Sequence, residues 1–186
     1  MTLGGITLSG KLGGYEIVNQ SISSLPQDLA NATNNVFTKT LGATYDPIWY
    51  IGSQQVNGKN HLLICKQTRT TKGSEQKIVG VVINIPAGSI GGGGAKIVEI
   101  IEDSDLIEGT NIDKNLNEKF DKVLSGLTGV SYKPVLYIGE QIVKGINYYI
   151  VAEAKAIYPN AEPYAVIICL NEFQANVVLE SIERLK

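Results

Sequence analysis

The sequence predicts an α+β fold of two units, each one long helix packed on an antiparallel β-sheet. Three observations predict it. A segment of the chain recurs, an amphipathic helical stripe precedes each copy, and apolar runs separated by turn residues follow. The recurrence is the strongest of the three. "GATYDPIWYIGSQQVNGKN", residues 42–60, and "GVSYKPVLYIGEQIVKGIN", residues 129–147, share ten identities in nineteen ungapped positions. The spacing is 87 residues, so Tyr45 maps to Tyr132, Pro47 to Pro134, Gly52 to Gly139 and Gly58 to Gly145. Identity at this density reads as a duplicated unit. The units are placed at 1–90 and 91–186, with 91–102 open to sharing between them.

In the first unit, Ser24 and Gln27 have the spacing of a capping box, with Pro26 tolerated in the first turn. Leu29, Ala32, Val36, Phe37 and Thr40 then fall on one helical face. Strands follow over about 47–56, 59–69, 76–86 and 95–102. In the second unit Thr110 is the expected cap, and Asp113 sits where the helix dipole favours a negative charge. Ile112, Leu116, Phe120, Val123, Leu124 and Leu127 form the apolar stripe. Its strands run over about 134–143, 146–157, 163–171 and 175–183. "NGKN" and "KGIN" read as hairpin turns, whereas "TKGSE" and "YPNAEP" read as looser connections. Segment 95–102 follows Gly-Gly, as does "YEIVNQ" at 15–20, so it reads either as a last strand of the first unit or as a first strand of the second.

The central strands are apolar on both faces. Leu63, Cys65, Ile150 and Ala152 fall on one side, and Leu62, Ile64, Tyr149 and Val151 on the other. One face covers the helix. The other is expected to be buried as well, by the sister unit or by a homo-oligomer.

Composition sets the function classes. The chain has 186 residues, 44% hydrophobic and 18% charged, which is a folded, globular balance. A formal charge of −2 with no basic patch argues against nucleic acid. No apolar run of about 18 residues predicts a membrane span. The first residues lack the basic start and apolar core of a secretory signal, and Cys65 and Cys169 lie in apolar runs. Both features fit a cytoplasmic protein without a disulfide framework.

Catalytic chemistry finds little support. The run Gly91–Gly94 with Lys96 misses the phosphate-loop spacing, because Ala95 intervenes, and a flexible linker is the expected reading. His61 and Cys65 are four apart in a strand, an ordinary strand pair rather than a thiol–imidazole couple. One His and two distant Cys make no usual metal set, and no cofactor is expected. The carboxylates of "EIIEDSD" read as a solvated strand end. An enzyme is not expected.

Gly-Gly, a short strand, a long helix, a strand, Q-x-V-x-G and an aromatic-rich strand, as in "QIVKGINYYIVAEA", resemble the cystatin family. The resemblance covers most of both units. It implies a non-enzymatic protein that inhibits papain-like cysteine proteases with a wedge of three backbone segments. The implied first hairpins are Gln54, Val56 and Gly58, and Gln141, Val143 and Gly145. The implied N-terminal trunk glycine is Gly13 or Gly14, with Gly93 or Gly94 as the counterpart in the second unit. The second hairpins would offer Pro86 in one unit and Phe173 in the other, without the family's Pro-Trp pair. The alternative is a non-inhibitory structural or assembly module, for example a subunit of a larger complex or phage particle, since fold does not fix function.

Overall fold

The computed structural model describes residues 15–71, 73–102 and 114–186. They form two compact units, one within residues 14–102 and the other within 103–185. The first unit contains β1 (Tyr15–Ser21), a 3-10 turn (Ile22–Ser24), α1 (Gln27–Phe37), β2 (Ala43–Val56), β3 (Gly58–Arg69), β4 (Gln76–Ile85) and β5 (Lys96–Ile101). Its sheet is antiparallel in the order β1-β2-β3-β4-β5. The second contains α2 (Lys114–Leu124), β6 (Val130–Val143), β7 (Gly145–Ala156), β8 (Tyr164–Phe173) and β9 (Asn176–Arg184). Its sheet runs β6-β7-β8-β9, again antiparallel.

The expected class, α+β with one long helix per unit, is overturned. Strands dominate the described residues, and the helix of each unit covers only 11 of them. The local chemistry explains the shortness of α1. Pro26 is the N-cap residue in an extended conformation, so the helix starts after it, and Ser24 belongs to the 3-10 turn rather than to a capping box. At the other end the Thr38 hydroxyl donates to the Asn34 carbonyl (2.9 Å) and the Thr40 hydroxyl to the Val36 carbonyl (3.1 Å). The Asn34 carbonyl keeps its helical bond from the Thr38 N–H, but the Val36 carbonyl takes the Thr40 hydroxyl and the Lys39 N–H in place of the Thr40 N–H that a further helical turn would supply. Gly42, at φ +85°, then reverses the chain into β2, and Gly129 does the same at φ +88° before β6. Thr110, Ile112 and Asp113 lie outside the described residues.

The strands carry most of the core. In the first unit Leu29 and Phe37 of α1 pack with Leu63, Cys65, Val81 and Ile83. In the second, Leu116, Phe120 and Leu124 of α2 pack with Ile150, Ala152 and Ile168. Burying each large apolar side chain contributes about 1.5–3 kcal/mol. The opposite faces of β3 and β7 are buried too: Leu62, Ile64, Tyr149 and Val151 are inaccessible or nearly so.

The two sheets share their irregularities at the 87-residue offset. Register shifts fall between Pro47 and Trp49 and between Tyr50 and Gly52 in β2, and between Pro134 and Leu136 and between Tyr137 and Gly139 in β6. A proline has no N–H for the ladder, so it sits where pairing slips. Segment 96–101 is β5, hydrogen-bonded to β4 as an edge strand of the first unit.

Candidate functional site

Each Q-x-V-x-G segment is a hairpin end. Val56 pairs with Gly58 across Asn57, and Val143 pairs with Gly145 across Lys144. The next connection lies beside each tip. Lys59 pairs with Ile85, placing the β4–β5 loop next to the first tip, and Ile146 pairs with Glu172, placing the β8–β9 turn next to the second. Pro86 and Phe173 therefore stand at the same sheet ends as the hairpins.

The glycines are fixed by packing. Gly58 and Gly145 have φ of +94° and +97°. A Cβ at Gly58 would collide with the Ile85 carbonyl oxygen, and one at Gly145 with the Glu172 carbonyl oxygen. Both are backbone atoms of the neighbouring strand and cannot swing aside. The glutamines are also engaged inside the sheet. The Asn60 amide donates to Gln54 Oε1 (3.2 Å), and the Asn84 amide donates to Asn60 Oδ1 (2.8 Å). In the second unit the Tyr149 hydroxyl donates to Gln141 Oε1 (3.0 Å), and the Asn171 amide donates to Asn147 Oδ1 (2.7 Å). These amide rows close the apolar face of each sheet and hold its register. Of the motif residues, the valines alone project freely: Val56 is 41% and Val143 44% exposed. Gly13 and Gly14 lie outside the described residues.

Three features at these ends were missed in the sequence. First, Gln55 folds back, its amide donating to the Gly58 carbonyl (2.7 Å), whereas Ile142 at the same repeat position is 85% exposed. The ungapped alignment of the repeats already contains this difference, as one of its mismatched positions. Second, the Gly91–Gly94 run is no flexible linker. It belongs to the β4–β5 loop, and Gly92 is buried against α1, where a Cβ would come within 2.5 Å of the Ala32 Cβ. Third, Glu172 Oε2 accepts from Lys119 Nζ (2.7 Å) and from the Tyr148 hydroxyl (2.8 Å), joining α2, β7 and β8. The Lys119 ammonium, with the Tyr148 hydroxyl, holds the Glu172 carboxyl below the usual carboxylate range. No sequence signal points to this bridge, because its members are remote in the chain.

His61 and Cys65 do different work from a catalytic couple. The His61 Nδ1 lies 3.0 Å from the Tyr50 hydroxyl, and burial, with Lys59 nearby, pushes the imidazole down to about 4. It is neutral at neutral pH. Cys65 is in the helix-side core, where burial pushes its thiol well up and suppresses the reactive thiolate. Among the described residues, no group of three or more His, Cys, Asp or Glu could hold a metal ion. Likewise, no helix among them is long and apolar enough to cross a membrane. A cleft of about 400 Å³ adjoins the first tip, lined by Leu29, Gly58, Lys59, His61, Ile85 and Pro86 among others.

Comparison with known families and with characterised proteins finds no match.

Proposed function

We propose that the chain is a duplicated, non-enzymatic protein-binding molecule that meets its partner through a hairpin end. One observation carries this reading. In each sheet two connections lie side by side at one end, with an exposed valine at the tip of the first. A stiff pair of turns loses little conformational freedom on binding, so more of the contact energy survives as affinity. The motif in this setting resembles that of cystatins, which makes papain-like cysteine proteases the partner class to test. The glycines act indirectly: they let the tip and its neighbour approach, and the contacts fall to the residues around them.

A second reading, an assembly module, is favoured by β5. Within the described residues it is an edge strand of its sheet and exposes Val98 and Ile100. Such an edge accepts a strand from another chain. Titration against papain separates the two readings. The protease reading expects inhibition at micromolar protein, and its absence removes that reading. Light scattering tests the assembly reading, which a strict monomer contradicts.

A further inference from the structure

We infer that the two hairpin ends are not equivalent: the second unit's alone is the contact surface, and it fits a protein cleft with apolar walls and a carboxylate at its rim. The inference rests on the binding reading above and assigns it to one end.

The repeat positions decide it. Where the second unit has Ile142, Lys144 and Phe173, the first has Gln55, Asn57 and Pro86. Ile142, Val143 and Phe173 expose 85%, 44% and 38% of their surface at one tip. Exposed apolar side chains gathered at a tip mark contact surfaces. Lys144 Nζ lies 5.1 Å from the Phe173 ring centroid, so the apolar cluster carries one cation. Glu172, the nearest carboxylate in sequence to that ring, is already bonded to Lys119 and Tyr148. The complement of this tip is an apolar groove with a negative rim.

The tip is also braced and strained. The Lys119–Glu172–Tyr148 bridge stands one residue below Phe173 and ties it to α2 and β7. The adjoining turn, Gln174 and Ala175, holds φ of +50° and +61° without a glycine. Strained non-glycine turns persist where the surroundings hold them, and they gather at functional sites. The first unit exposes Val56 at its tip and Ile90 in the adjoining connection, but among its described residues it has no such bridge. Its Gln55 is spent on its own turn, and the positions of Lys119, Tyr148 and Glu172 are Ala32, His61 and Ile85. The small Ala32 admits Gly92, so the unit's own ten-residue connection, 86–95, folds against α1.

Inhibition of papain by five single variants tests this. Ile142→Ser and Phe173→Ser in the second unit should each raise the inhibition constant by about tenfold or more, as truncation of a contact anchor does. Val56→Ser and Ile90→Ser in the first should change it less than about twofold. Lys144→Glu should weaken inhibition and reverse its salt dependence. Circular dichroism of each variant separates lost contact from lost fold. Loss on Val56→Ser with retention on Ile142→Ser overturns the inference and leaves the binding reading standing, and equal loss from both ends overturns it likewise. Absence of inhibition by the wild type overturns both.

Discussion

The two hairpin ends share a framework and differ in what they present. Both have a glycine at positive φ beneath the neighbouring strand's carbonyl, an amide row across the sheet and the same register shifts. On that common frame, the first end folds Gln55 back onto its own turn while exposing Val56 and Ile90, and the second gathers Ile142, Val143 and Phe173 above the Lys119–Glu172–Tyr148 bridge. The difference teaches that a repeated motif marks the part of the structure that must stay the same, whereas the two ends differ in the side chains they expose at the positions where the repeats are not identical.

The largest expected effect tests the shared frame. Gly58→Ala and Gly145→Ala each force a Cβ into a backbone carbonyl and strain the dihedral, and each should cost about 3 kcal/mol or more in urea denaturation. Equal losses support one frame; a tolerated substitution in either unit would break the comparison. Charged replacements at these glycines would therefore report folding before binding. Next, Gly92→Ala should cost about 2–3 kcal/mol, because the methyl meets Ala32, whereas Gly91→Ala, at positive φ with open space around it, should cost only about 1 kcal/mol. Equal costs would mean that the loop does not rest on α1.

The charged groups sharpen the contrast through pH. His61 has its folded value lowered from 6.5 to about 4, so the unfolded chain binds the proton first as pH falls. Stability contributed by the neutral imidazole is full above 6.5 and is lost as pH falls through about 4. Allowing for partial exposure, the loss is about 1–2 kcal/mol, and His61→Phe should flatten it. Glu172 is lowered by Lys119, so its contribution is present above the ordinary carboxylate value and is lost only at lower pH, as the solution falls through its depressed value. NMR titration of the His61 ring and the Glu172 carboxyl checks both; a His61 midpoint near 6.5 would contradict its burial. The smallest effect is a gain: Ala175→Gly should stabilise the second unit by about 1 kcal/mol by relieving the left-handed turn.

Much of the sheet was legible in the sequence. Alternation and turn residues marked the strands, and Leu63, Cys65, Ile150 and Ala152 were grouped on one face, which proves to be the one that packs with the helices. The helices were overread, because a periodic stripe continues through Thr40 and Leu127 while the backbone is already turned by hydroxyl bonds and glycine. The glycine run read as a linker because composition cannot show that Ala32 leaves room for it. The Lys119–Glu172–Tyr148 bridge was invisible for a similar reason: three polar residues, separated by up to 53 positions, meet only after the sheet has formed.

The most direct test of the central claim is calorimetric titration of the intact protein with papain blocked at its catalytic cysteine. The account predicts one protease bound per chain at micromolar affinity, with binding abolished by Ile142→Ser combined with Phe173→Ser. Two proteases per chain, or none, would contradict it.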